Sequence, residues 1–222
     1  MSHFAHYPAI GFAQRPAPFA MLDVRMRLFV ALDLEETIRQ RIREFIELIR
    51  LFAPGVRWVA AESLHITLKF IGEQPDAKLK EIESALAKIS ATSFSLSVAG
   101  CGFFPTARTA RVFWAGIEAE HKLAQLAADV ELALEPLGIA REKRTFSPHL
   151  TLARSRGGSG APGRQRQDKP NQNFAKVQEQ LSKMGAIEFG AMTACGFFLY
   201  RSQLLSQGSR YTKLARFGLE KA

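Results

Sequence analysis

A duplication sets the tightest limit on how this chain can fold. His65-Ile66-Thr67-Leu68, inside SLHITLKF, returns as His149-Leu150-Thr151-Leu152, inside SPHLTLAR. The offset is 149 − 65 = 84, and Arg27-Leu28-Phe29-Val30-Ala31-Leu32 matches Arg111-Val112-Phe113-Trp114-Ala115-Gly116 at the same offset, 111 − 27 = 84. Cys101-Gly102-Phe103-Phe104 returns as Cys195-Gly196-Phe197-Phe198 at 195 − 101 = 94. The ten additional residues must fall between His149 and Cys195. Residues 155–173 (SRGGSGAPGRQRQDKPNQN) have the Gly, Pro, Arg and Gln content of a solvated, flexible loop.

The segments between these matches repeat as well. Ile38, Ile42, Phe45, Ile46 and Ile49 form one helical stripe, and Leu123, Leu126, Val130, Leu134 and Leu137 another. After the His motifs, Leu79, Ile82, Leu86 and Ile89 share their spacing with Phe174, Val177, Leu181 and Met184. Each unit, about 27–104 and 111–198, therefore reads strand, helix, His-bearing strand, helix, strand. This predicts an α+β, bilobal fold: two pseudo-twofold-related α/β units whose sheets face a central cleft. Residues 1–25 stand outside the repeat and are expected to form a poorly ordered arm, with 26–222 making a single bilobal domain. His3 and His6 fall in the arm, and no role is expected of them.

Within each motif the chemistry follows from strand geometry. A His and the Thr two residues later share a face, roughly 6–7 Å apart along the chain. Two copies brought together offer two imidazoles and two hydroxyls to one small anion. Histidine titrates near neutrality, so a pair can hold one protonated and one neutral ring and serve as acid and base. The hydroxyls of Thr67 and Thr151 can donate to oxygens that gain charge. A lone His-x-Thr in a strand is more often structural; it is the repetition that favours catalysis.

Composition bounds the alternatives. The chain carries 30 Lys and Arg against 21 Asp and Glu, a net charge of +9, which suits a polyanionic partner without demanding one. Its two cysteines sit at matched positions and read as small buried residues, which fits a reducing cytoplasm. No apolar run reaches the length of a membrane span. A metal centre would need three or four clustered ligands, whereas each His here has a Thr where a second ligand would stand. No Gly-x-x-x-x-Gly-Lys-Ser/Thr occurs.

The segments RWVAAESLHITLKFIGE, GCGFFP, RVFWAG and FSPHLTLARS, with a Tyr-Arg-Ser…Gly…Tyr tail, resemble the bacterial and archaeal RNA 2′,3′-cyclic phosphodiesterases. These are also called 2′-5′ RNA ligases, a branch of the two-histidine phosphoesterase superfamily. The resemblance runs from about Met26 to the C-terminus. It implies metal-independent opening of a terminal 2′,3′-cyclic phosphate to a 2′-phosphate, with a weak reverse reaction making a 2′-5′ linkage. It implies no cofactor, and as partner RNA with cyclic phosphate ends, tRNA fragments among them, acted on by a monomer.

Residue by residue, the resemblance makes His65 the proton donor and His149 the proton acceptor, and Arg154 a phosphate contact. Arg154 lies three residues past Thr151, so on a regular strand it would face away from His149; the strand must end or twist first. Phe146, Tyr200 and Trp114 are candidates to stack on a base, with core packing as the ordinary alternative; Phe146 and Tyr200 are the substrate-binding candidates beside Arg154. Arg164, Arg166 and Lys169 could meet RNA phosphates or simply solvate the loop. Other readings of the same chain are a phosphodiesterase for 2′-5′ oligoadenylates or small cyclic nucleotides, and a non-catalytic basic RNA-binding module.

Overall fold

The structure is a computed structural model that describes residues 25–155, 172–205 and 208–221. Apart from Arg25, the arm 1–25 lies outside the described residues, and so do 156–171, with Arg164, Arg166 and Lys169.

Nine strands and four helices are found among the described residues. The first repeat supplies β1 (Arg25–Leu32), α1 (Glu36–Ile49), β2 (Val56–Trp58), β3 (Ile66–Pro75), α2 (Leu79–Leu86) and β4 (Phe94–Phe104). The second supplies β5 (Val112–Ala119), α3 (His121–Leu134), β6 (His149–Ser155), α4 (Ala175–Lys183), β7 (Glu188–Ala194) and β8 (Gly196–Leu205), followed by β9 (Gly208–Gly218). The helical stripes fall where periodicity puts them: Ile38, Ile42, Ile46 and Ile49 are buried on α1, and Leu123, Leu126, Val130 and Leu134 on α3. The turn after α3 closes at Gly138, whose φ of +76° is left-handed backbone that favours glycine.

The strands form two antiparallel sheets, ordered β3-β1-β8-β9 and β2-β6-β5-β4-β7. A repeat in sequence is therefore not a lobe in space. The first repeat leaves β2 and β4 in the sheet of the second, and the second leaves β8 in the sheet of the first. Hydrophobic periodicity cannot reveal this, because it reports which face of a strand is buried and not which strand lies beside it.

The first strands are also related by an offset other than the one their residue similarity suggests. Val30 stands opposite Lys69, and Phe113 opposite Ala153. Since 153 − 69 = 84 and 113 − 30 = 83, β1 and β5 align one residue away from the match RLFVAL/RVFWAG. A one-residue slip turns every side chain over. Phe113 accordingly lies in the main core, whereas Phe29 belongs to a separate cluster with Ala31 and Tyr200 on the opposite face of its sheet. That opposite face lines the cleft. The cysteines differ too: Cys101 is half-buried but Cys195 is exposed, and both thiols are free.

Candidate active site

The two His motifs are built alike to the residue. From 65 to 70, and again from 149 to 154, burial runs half-buried, buried, half-buried, buried, buried, exposed. The fifth position breaks the alternation of a regular strand, and the pairing shows why. The register passes from Val30↔Lys69 to Ala31↔Thr67, and from Phe113↔Ala153 to Trp114↔Thr151. Leu68 and Leu152 are thus additional residues in matched β-bulges, and a bulge re-aims the side chains beyond it. Past the bulge Arg154 returns to the face of His149 and Thr151, and its Nη2 donates to Thr151 Oγ1 at 3.4 Å. The sequence required an end or twist of the strand here; a bulge supplies the change.

Strands β3 and β6 come into contact. The positive charge of Arg154 acts on both imidazoles. Tyr211, on β9, stands edge-on to the His65 ring with centroids 5.0 Å apart and is within electrostatic reach of Arg154. Sequence reasoning gave Tyr211 no role, although it closes the Tyr…Gly…Tyr tail.

Each imidazole is fixed by its own chain. His65 Nδ1 is 2.8 Å from the Ser63 carbonyl oxygen, and His149 Nδ1 is 2.8 Å from that of Ser147. A carbonyl only accepts, so Nδ1 carries a proton in both rings. Nε2 is left as the atom that takes or gives one. The approach to His65 is tied down in turn by buried Arg39. Its Nη1 donates to the carbonyls of Ala61 at 2.6 Å and Leu64 at 3.3 Å, and its Nη2 pairs with Asp33 at 2.6 Å.

The two pockets differ in depth. His65 lies 4.7 Å from the Phe29 ring and 6.1 Å from that of Tyr200; His149 meets Phe104 edge-on at 5.0 Å. Burial pushes His65 down to about 4, with the Ser63 carbonyl opposing and Arg154 reinforcing the shift. Burial lowers His149 as well, again opposed by its carbonyl partner and reinforced by Arg154.

Tyr200 is 5% exposed and stacked on Phe29 at 5.0 Å, which makes it a backing for His65 rather than an open platform. Burial raises its phenol pKa further above the neutral range. Phe104 holds the equivalent place beside His149: Tyr200 pairs with Phe29 and Phe104 with Val112, and 112 − 29 = 83. Phe146 packs against the main core. Trp114 lies across from Thr151, with its indole so close over Gly102 that a Cβ there would come within 2.2 Å of the ring. His121 opens α3, exposed. Beside His65 is an open cavity of about 660 Å³, lined among others by Asp33, Arg39, Tyr200, Arg210, Tyr211 and Lys213. Asp33 pairs there with Lys213, and this bond, with the Leu34 N–H and the charges of Lys213 and Arg39, outweighs burial and lowers its carboxyl pKa.

Two antiparallel sheets that each present a His-x-Thr pair to a common cleft define a class, that of the two-histidine phosphoesterases. The family description "LigT like Phosphoesterase" matches residues 32–114. An RNA 2′,3′-cyclic phosphodiesterase of Archaeoglobus fulgidus is 34% identical over 192 residues, 86% of this chain and 99% of that protein. A Thermus thermophilus protein of the same name is 34% identical over 203 residues, 87% of this chain and 90% of the relative. Among solved structures, Escherichia coli LigT complexed with 3′-AMP superposes with a TM-score of 0.68 at 28% identity, covering 88% of this chain and 99% of the other. The chain belongs to the LigT-like phosphoesterase family.

Proposed function

We propose that this enzyme hydrolyses terminal RNA 2′,3′-cyclic phosphates to 2′-phosphates without a metal ion, and that it can reversibly join RNA ends through a 2′-5′ linkage when a 5′-hydroxyl replaces water. The observation that carries this reading is the matched pinning of both imidazoles. With Nδ1 held by a carbonyl in each motif, two Nε2 atoms are left for proton transfer, and Arg154 supplies a cation to a bound phosphate between them. The names of the relatives point to the same substrate class.

In this reaction His149 Nε2 removes a proton from water, and the water oxygen bonds to phosphorus. The bond from phosphorus to the ribose 3′ oxygen breaks, and His65 Nε2 gives its proton to that oxygen. Thr67, Thr151 and Arg154 hold the non-bridging oxygens as charge builds. Before a phosphate binds, the deeper burial of His65 works against its protonation. The anionic phosphate, once bound, favours the imidazolium and draws the proton there. In joining, a 5′-hydroxyl takes the place of water: His149 Nε2 takes its proton, its oxygen bonds to phosphorus, the same bond to the 3′ oxygen breaks and His65 Nε2 protonates that oxygen. Only cleavage of the 2′-5′ linkage exchanges the two roles.

The test is an oligonucleotide ending in a 2′,3′-cyclic phosphate, incubated with excess EDTA. A 2′-phosphate product is expected. His65→Ala and His149→Ala should each slow turnover by a factor on the order of 10²–10⁴. Activity that vanishes with chelation and returns with a divalent ion would refute the metal-free mechanism. A 3′-phosphate product would refute the assigned direction of ring opening.

A further inference from the structure

The two imidazoles are pinned alike, but the backbone that carries each pin is stiffened differently. The Ser147 carbonyl that holds His149 is followed by Pro148, whose ring fixes its own φ and keeps the residue before it extended. Leu64 stands in that place before His65. Proline is unsuited there, because Ser63 belongs to the 3-10 turn Ala61–Ser63 and the Leu64 N–H donates to the Ala61 carbonyl at 3.1 Å. The turn is held instead by the Arg39 guanidinium, buried at 7% exposure, and each of its N–H groups has an acceptor. Nη1 donates to the carbonyls of Ala61 at 2.6 Å and Leu64 at 3.3 Å, which bracket Ser63. Nη2 donates to Asp33 at 2.6 Å and to the Leu34 carbonyl at 3.3 Å, and Nε faces Glu36 at 3.4 Å. Asp33 is braced in turn from β9 by Lys213. In the second repeat the same place, 39 + 84 = 123, is taken by Leu123, a core residue; this offset also matches Ile42 with Leu126.

We propose that Arg39 is the positioning residue of the proton donor: it holds the turn that aims the His65 ring, as Pro148 does by its own backbone for His149. The inference rests on the reading above, in which His65 protonates the 3′ oxygen, and adds what keeps that ring ready. A guanidinium this deep is costly unless its hydrogens are all taken up, and two of its acceptors are the carbonyls on either side of Ser63. Without those donors the turn is free to rotate the Ser63 carbonyl away from Nδ1. The His65 ring then loses the bond that keeps one proton on Nδ1 and reserves Nε2 for the proton it delivers. Arg39 acts through the turn and not on the phosphate. Lysine is no equivalent, because Nη1 and Nη2 together serve four acceptors and an ammonium has three hydrogens.

The experiment follows the imidazoles of the full chain directly, by long-range proton–nitrogen correlation spectra of isotopically labelled protein above the ordinary histidine pKa. His65→Gln and His149→Gln assign the signals. Both wild-type rings should carry the proton on Nδ1 and leave Nε2 bare. In Arg39→Met the His65 ring should shift toward the Nε2–H form that a free imidazole favours in water, while His149 keeps its wild-type signals. On adenosine 2′,3′-cyclic phosphate, kcat should fall roughly 10- to 100-fold, the worth of a misplaced catalytic group. KM should stay within about twofold of wild type, since the loss is in the chemical step. Arg39→Lys should show both changes in weaker form, and it decides the question if Arg39→Met does not fold. An unchanged His65 ring, equal changes in both rings, or an unchanged kcat in a folded variant would overturn the positioning role while leaving the cyclic-phosphate reading intact. A wild type that opens no cyclic phosphate would overturn that reading, and the spectra would still decide what Arg39 holds in place.

Discussion

Replacing Lys69 by Met should destabilise this protein more than any comparable change in its strands. Lys69 is 4% exposed on β3, two residues past Thr67. Its Nζ is 2.5 Å from Glu131 Oε2 on α3 and 2.6 Å from the Ala140 carbonyl oxygen. Glu131 is itself only 17% exposed and accepts weakly from the Glu142 N–H at 3.3 Å. The methionine fills the same volume but leaves a carboxylate and a carbonyl without their donor. Breaking one side of such a buried pair costs about 3–5 kcal/mol. At roughly 2–4 °C per kcal/mol for a chain of this size, Tm should fall by roughly 6–20 °C. Lys69→Met with Glu131→Leu should recover much of that loss, because an apolar pair has no charge to strand. Ala140 and Glu142 open the segment that leads to Ser147 and His149, so kcat should fall in the single variant and recover in the double. Thermal and urea unfolding followed by far-UV circular dichroism measure the stability. A single variant within about 1 kcal/mol of wild type, or a double variant no better than the single, would refute the argument that a stranded carboxylate dominates.

Two further expectations concern the site. Because burial depresses both imidazoles in the free protein, His65 to about 4, kcat/KM should decline with rising pH through a region below the ordinary histidine pKa of 6.5. The phosphate charge favours the imidazolium in the complex, so kcat should hold to higher pH; coincident alkaline limbs in initial-rate profiles would contradict this. Gly102→Ala should displace the Trp114 indole and cost about 1–3 kcal/mol by overpacking. The displaced ring should disturb Phe104, 5.1 Å away, and through it His149. Unchanged tryptophan fluorescence and an unchanged melting curve would show that the ring has room to move.

The sequence carried the periodic part of this architecture. The 84-residue offset locates both His-x-Thr motifs, and apolar spacing locates α1 and α3 with their buried faces. It did not carry what depends on partners far along the chain. The bulges at Leu68 and Leu152 exist only as a count of residues against a neighbouring strand, so Arg154 looked misdirected. The match between Arg27–Leu32 and Arg111–Gly116 was persuasive because both segments carry Arg, Phe and Ala at like places. Packing obeys faces, however, and puts Phe29 behind His65 and Phe113 in the core. Arg39 and Lys69 would pass for solvated charges; only Asp33, Ala61, Glu131 and Ala140 show why they are buried.

The exchange of β4 and β8 between the sheets has a consequence for how such a cleft can be assembled at all. Taken alone, one repeat is a lobe missing the strand beside its central one, with a spare strand projecting from it. Two identical copies would each complete the other by swapping that strand, as in an isologous dimer, and the cleft would lie on the symmetry axis. In such a dimer, equivalent positions carry the same residue, whereas here Phe70 lies five residues past His65 and Arg154 five past His149. Joining the copies into one polypeptide removes that identity while keeping the interlocked strands that hold the halves together. A symmetric pocket with two interchangeable ends can then become one that tells the two ends of its ligand apart.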